Sequence, residues 1–339
     1  MQNKNNMNLK EIGEFGFIER FKPWFDKLVP ENLAGIGDDC SVIPVNDKED
    51  WLITTDLLIE GVHFLKEAIT PWQLGYKSLA VNLSDIAAMG AAPLGSFLSI
   101  AIPGNVPVEY LDDFMKGYLA LSQKYNTPLL GGDTTKSLKH LAVNVCVIGK
   151  CLKGQAKMRN MAKENDVICV TGYLGDSAGG LQVLLNQLAP TADHDYLKMK
   201  HHLPEPRLDE GQYLAAMPGV HAMMDISDGI ASDLVHILKA SGKSAETEMN
   251  RLPVSDVLKR VAKQQGWSAD ELAISGGEDY ELLCTIAPEH LQETCDGFLS
   301  RFGKPLIPVG TIGEGRPSVQ WLKNGEKIMP DKTGFNHFQ

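Results

Sequence analysis

The chain has 339 residues, 43% hydrophobic and 22% charged, the profile of a globular protein longer than one hydrophobic core normally holds. Its net charge of −11 argues against nonspecific attraction to nucleic acid or anionic membranes. The N-terminal MQNKNNMNLK lacks an apolar core, and no run approaches the roughly 20 apolar residues that span a bilayer, so a cytoplasmic protein is expected.

In chain order, Gly35-Ile-Gly37 turns the backbone and presents Asp38 and Asp39 together. The β-rich WLITTD places Thr54, Thr55 and Asp56 at a strand end. PWQLGYKSLAVNLSDIAAMGA predicts a helix, with Pro71 in its first turn, Gly90 at its C-terminal cap, and Asn82 and Asp85 three apart on one face. A carboxylate in so apolar a helix needs a partner, for which a cation or a neighbouring helix is the candidate. The strand GSFLSIAIP follows, then the amphipathic VEYLDDFMKGYLALSQKY, then TPLLGGDTT leading into the strand HLAVNVCVIG.

This βαβ-like rhythm ends near Gly149. Lys150, Lys153, Lys157, Arg159 and Lys163 then form a basic segment that suits either an interdomain linker or a strip facing phosphate. The reading gives two domains, 1–150 and 151–339. The second contains a strand VICVTG, a Gly-rich turn, the helix LQVLLNQL, a helix after DISDG, the strand YELLCTI, a helix near 288–302 and a hairpin turning at Asn324-Gly325. Six cysteines, at 40, 146, 151, 169, 284 and 295, form no Cys-x-x-Cys pair and are expected reduced.

Taken singly, each acidic signature has an ordinary reading as a turn, strand terminus or helix cap; Ser227 or Asp228 of DISDG, for example, suits a cap. Their joint occurrence points instead to carboxylates gathered by folding around hard cations such as Mg²⁺, hence to phosphoryl transfer. Gly175-Asp-Ser177-Ala-Gly179 matches the nucleophile elbow G-x-S-x-G, but Gly172-Tyr-Leu-Gly175 separates the strand from the serine and no HGGG-type segment lies upstream. A Gly-rich strand-to-helix turn is the stronger reading.

GIGDDCSVI, TTDLLIEGVHF, GYKSLAVNLSDIAAMGAAP, LLGGDTT, MDISDGIASDL, SGGEDYELL and the terminal GFNHF occur in this order along nearly the whole chain. In these the chain resembles the thiamine-monophosphate kinase family of the aminoimidazole ribonucleotide synthetase-like superfamily; EGVHF and GGEDYEL carry the resemblance to this branch. The resemblance implies an α/β (α+β) two-domain fold with mixed sheets covered by helices, the N-terminal domain binding ATP and metal and forming a homodimer. It implies ATP-dependent phosphorylation of thiamine monophosphate to thiamine diphosphate, with several Mg²⁺ ions and no acid–base residue. The implied metal residues are Asp38, Thr54, Thr55, Asp56, Asp85, Asp133, Asp225 and Asp228; Gly132, Asp133, Arg159 and Ser227 would contact ATP, and His63, Glu278 and Phe335 the thiamine phosphate. Other readings are a different ATP-using synthetase of the superfamily or a nucleotide-binding protein without turnover.

Overall fold

Alternation along WLITTDLLI buries Leu52, Thr54 and Leu58 while exposing Trp51, Thr55 and Leu57, so one sheet face is covered and the other open. In the computed structural model, which describes residues 9–330 and Gly334, this segment is β2 (Glu49–Ile59). It lies in a five-stranded sheet with β1 (Ser41–Pro44), β3 (Ala92–Pro103), β4 (Leu129–Ser137) and β5 (Ala142–Leu152), ordered β1-β2-β5-β3-β4. Only β3 and β4 pair in parallel. The GGDTT segment, expected as a connection, is thus part of edge strand β4, whose residues 129–136 are all exposed.

Helix α1 (Leu9–Asp26) precedes the sheet, and α2 (Pro71–Ala88) and α3 (Val108–Lys124) cover it. A capping box between Thr70 and Gln73 and a proline in the first turn fix the start of α2. Most of α2 is buried, because it also packs against α6 (Leu208–Ala216) and β7 (Val220–Asp225) of the second half. One core consequently runs from Leu52 and Val145 through Leu83 to Leu214, Met223 and Phe298.

The second sheet holds β7 with β6 (Val167–Val170), β8 (Ser244–Glu248), β9 (Leu282–Ile286), β10 (Ile307–Gly313), β11 (Val319–Lys323) and β12 (Glu326–Ile328), ordered β12-β11-β8-β10-β6-β9-β7. Around it lie α4 (Asp176–Leu185), α5 (Ala192–His202), α7 (Ile230–Ser241), α8 (Asp256–Gln265), α9 (Ala269–Ser275) and α10 (Pro288–Phe302). The sequence reading does not anticipate α5, α6, α8 or α9. Helix α5 is mostly polar and starts on a Thr191 side-chain cap, so its apolar stripe is too sparse to read. Among the described residues no helix is long and apolar enough to cross a membrane.

Candidate active site

Strand alternation divides the Thr54-Thr55-Asp56 triplet. Thr54 and Asp56 face the helix layer: Thr54 Oγ1 donates to Asp85 Oδ2 (2.5 Å), and Asn82 Oδ1 accepts from the Asp56 amide (3.0 Å). Residues three apart on α2 therefore both meet β2. From the same helix, Ser84 donates to Asp225 Oδ2 at the end of β7 (2.6 Å), which holds Asp85 between strands of the two sheets. The 35–39 turn completes the group, for carboxylate oxygens of Asp39, Asp85 and Asp225 lie within 4.8 Å of one another. Asp38 sits beside them, accepting from the amides of Asp39 (3.1 Å) and Arg159 (3.0 Å). The Arg159 guanidinium pairs with Asp39.

The electrostatic consequence is strong frustration. Burial, and then the charge of Asp39, raises Asp38 to about 7, Asp56 to about 6 and Asp225 to about 8. Burial also raises Asp39, and it raises Asp85 well above the carboxylate range, with Asp56 and Asp225 adding to the effect. Although burial alone would lower it, Asp39 and Asp38 hold the Arg159 guanidinium above its usual range. Asp39 Oδ2 is buried with no hydrogen-bond partner among the described residues. A compact all-oxygen donor set with an unsatisfied buried oxygen fits a hard divalent cation such as Mg²⁺.

Asp56, Asp85 and Asp225 line a cavity of about 460 Å³ together with His63, Ser227, Asp228 and Glu278. His63 Nδ1 accepts from the Ile59 amide (3.0 Å), so with a neutral ring the proton sits on Nε2. Glu278 has a left-handed backbone (φ 63°), its amide donating to the Ser227 carbonyl (2.7 Å) and its carboxylate meeting Lys77 Nζ (3.0 Å). A non-glycine residue in that region is strained and persists because its surroundings fix it. Neither Ser227 nor Asp228 caps α7; instead Asp233 Oδ2 accepts from the amides of Asp228 (3.2 Å) and Gly229 (3.1 Å).

Three predicted residues, Thr55, Gly132 and Asp133, lie elsewhere in the single chain. Thr55 and Asp133 stand on the open face of the first sheet: the register runs Thr55–Cys146–Phe97–Gly131, with Leu57, Asn144, Ser99 and Asp133 in the next row of that face. Gly132 lies between Gly131 and Asp133 in β4, where a Cβ would stand 1.7 Å from the Leu98 carbonyl oxygen, so only glycine lets the strands approach. Phe335 lies outside the described residues.

Of the basic segment, Arg159 alone is paired with this cluster; Lys150 pairs with Glu49, Lys153 with Asp47, and Lys157 donates to the Val220 carbonyl. The sequence reading omits Asp39 from the metal set, although Asp38-Asp39 adjacency is a signal for it, and it omits Lys77, a lone lysine inside an apolar helix. His201 and His202, at the end of the unanticipated α5, had no such signal.

The G-x-S-x-G serine is buried in the first turn of α4, where Asp279 accepts from the amides of Gly175 (2.7 Å) and Ser177 (3.3 Å). Ser177 Oγ and Glu278 Oε2 both approach the same nitrogen of His201, Nδ1, at 3.1 Å. A Ser-His-acid relay uses both ring nitrogens, so this is a packing arrangement. A larger cavity of about 750 Å³ is lined by Tyr76, Tyr196 and Arg207 and by the carboxylates of Asp176, Glu205, Asp209, Glu210, Asp279 and Glu281; none of these belongs to the Asp39, Asp85 and Asp225 group, and the arginine is engaged by Glu281 and Glu205. Of the two cavities, the smaller is the one lined by Asp56, Asp85 and Asp225.

Residues 37–151 match the N-terminal domain, and residues 163–322 the C-terminal domain, of AIR synthase related protein. The chain is 39% identical to thiamine-monophosphate kinase of Escherichia coli K12, over 96% of this chain and 98% of that one, and 36% identical to that of Bacillus subtilis 168, over 90% and 94%. Among solved structures it resembles a chain described as AaThiL complexed with AMPPCP and TMP, with TM-score 0.86 and 31% identity covering 98% of this chain and 100% of that one. It also resembles thiamine-monophosphate kinase of Stenotrophomonas maltophilia K279a, with TM-score 0.75 and 33% identity covering 93% and 98%. Motif order, fold and near-full-length identity agree, and the chain belongs to the thiamine-monophosphate kinase family.

Proposed function

We propose that this enzyme transfers the γ-phosphoryl group of ATP to the phosphate of thiamine monophosphate, giving thiamine diphosphate and ADP. The observation that carries this reading is the convergence of Asp39, Asp85 and Asp225 beside the cavity that also holds His63 and Glu278. An oxygen of the acceptor phosphate attacks the γ-phosphorus in line, the bond to the β,γ-bridging oxygen breaks, and ADP leaves with that electron pair. The attacking oxygen is already ionised, so no general base is required, and the residues act by positioning and electrostatics.

Thr54, Asp56, Asp85, Asp225 and Asp228, with Asp38 and Asp39, are the residues suited to hold Mg²⁺. Bound there, the cations would offset the negative charge of two phosphate-bearing substrates. Arg159, Ser227, Gly132 and Asp133 are assigned to the nucleotide, and His63 and Glu278 to the acceptor. Thr55 and Asp133 lie on the open sheet face with exposed Trp51, Leu57 and Phe97, which supports a homodimer packed through this face, Asp133 serving a nucleotide at the junction. A cytoplasmic setting suits substrates of this kind.

The test is incubation of purified protein with ATP, Mg²⁺ and thiamine monophosphate, with products identified by mass spectrometry. Equimolar thiamine diphosphate and ADP are expected. ADP with a different condensed product, or nucleotide binding with no product, overturns the reading.

A further inference from the structure

The 460 Å³ cavity has two chemically different walls. Asp56, Asp85 and Asp225 furnish one, while the 61–68 loop and α4 furnish the other with Phe64, Leu65 and Leu181. An acceptor whose phosphate faces the carboxylates leaves its ring systems to the apolar wall. His202, the last residue of α5, also lines the cavity and is 6% exposed. Among the described residues neither Nδ1 nor Nε2 of its ring has a hydrogen-bond partner. Its neighbour His201, by contrast, meets Ser177 and Glu278.

Burial, and then the Lys77 charge, lowers His202 to about 4, with the Ala68 backbone and the Glu278 charge acting in the opposite direction. The ring is therefore neutral at neutral pH and offers one N–H and one lone pair. A buried donor and acceptor left unpaired are unfavourable, and a site that keeps them beside a ligand cavity is suited to reject ligands that fail to pair with them. Thiamine carries an aminopyrimidine whose edge presents an exocyclic amine and ring nitrogens to such a partner.

We infer that His202 is a specificity-determining residue that hydrogen-bonds the polar edge of the acceptor's aminopyrimidine. The inference rests on the proposed kinase reading and extends it to the far end of the acceptor. His202→Leu keeps a similar volume and removes both polar atoms, whereas His202→Gln retains a donor and an acceptor. The probe is the phosphate ester of 3-benzyl-5-(2-hydroxyethyl)-4-methylthiazolium, which keeps the thiazolium and phosphate and has phenyl in place of the pyrimidine.

In the wild type, the KM for thiamine monophosphate and the competitive inhibition constant of the benzyl compound are measured first, and the pyrimidine form is expected to bind about tenfold tighter or more. In His202→Leu the KM for thiamine monophosphate rises by about that factor, the inhibition constant of the benzyl compound stays within about twofold, and the KM for ATP is unchanged. His202→Gln recovers most of the loss. Equal binding of the two compounds by the wild type overturns the inference without any variant. So does a folded His202→Leu enzyme with unchanged KM for thiamine monophosphate, or one weakened equally toward both compounds. Failure of the wild type to form thiamine diphosphate refutes the kinase reading, and this inference falls with it.

Discussion

At the scale of single residues, the site is held together by groups that repel one another. Asp85 is the clearest case: half-buried, raised well above the carboxylate range, and joined to Thr54 on one side and the Asp56 and Asp225 charges on the other. Asp85→Asn, and likewise Asp56→Asn, is expected to lower kcat by about 100-fold or more, because each removes charge from the proposed cation site. The metal-free Asp85→Asn variant should melt no lower than the parent, since it loses a buried repulsion. A folded variant with parental turnover would return that residue to a structural role. The pH dependence follows from the same charges. Asp38, Asp56 and Asp225 have folded pKa values of about 7, 6 and 8, above the ordinary aspartate value they take when unfolded. Raised folded values contribute stability at low pH that is lost as pH rises through them, so the metal-free protein should lose melting temperature between about pH 5 and pH 8.5. Mg²⁺ binds the deprotonated form and should raise the melting temperature more at the upper end of that window. Calorimetric scans with EDTA and with Mg²⁺ check both; a flat profile insensitive to Mg²⁺ would refute the coupling.

At the scale of elements, α2 is the part that brings the halves together, and its geometry depends on close contact with α3. A Cβ on Gly117 would stand 1.8 Å from the Trp72 carbonyl oxygen, and one on Gly75 would stand 1.9 Å from that of Phe114. Gly117→Ala should accordingly destabilise the protein by about 1–3 kcal/mol or more through overpacking, while the KM values of the folded enzyme stay near those of the parent. Denaturant titration with parallel kinetics measures the two effects separately; unchanged stability would mean that the helices separate freely. How legible each element was depended on how local its cause is. Asn324 and Gly325 adopt φ of 54° and 79°, the pair of positive values that a two-residue hairpin requires, and so the turn between β11 and β12 was readable from two letters. Strand β4 was not, because GGDTT carries turn-forming residues and becomes a strand only by pairing with β3. Helix α5 was hidden by its polar composition, which also hid His201 and His202.

At the scale of the whole molecule, the open face of the first sheet bears on the role proposed for Asp133 at a nucleotide. If a second copy covers that face, Asp133 of one protomer serves a site whose Asp56 belongs to the other. Inactive Asp133→Asn and Asp56→Asn proteins, mixed and allowed to exchange subunits, should then regain activity. Random pairing makes half the dimers mixed and leaves one of two sites intact in each, about a quarter of parental activity. No recovery despite demonstrated exchange would place both residues in the same protomer's site. By itself the sequence determined the motif order, the family resemblance and the kinds of atom available. Those lie in local spacing: a glycine turn before Asp38-Asp39, a threonine-rich strand end, and a carboxylate at a fixed step along an apolar helix. Only the tertiary structure decided which oxygens meet. It selected Asp39 for the three-carboxylate cluster, turned Thr55 and Asp133 to the opposite face, and joined Lys77 to Glu278 across 201 positions of chain. The reason is physical: a strand's alternation assigns faces only once the sheet has a covered side, and long-range proximity is set by how α2 packs between two sheets, which no local pattern encodes.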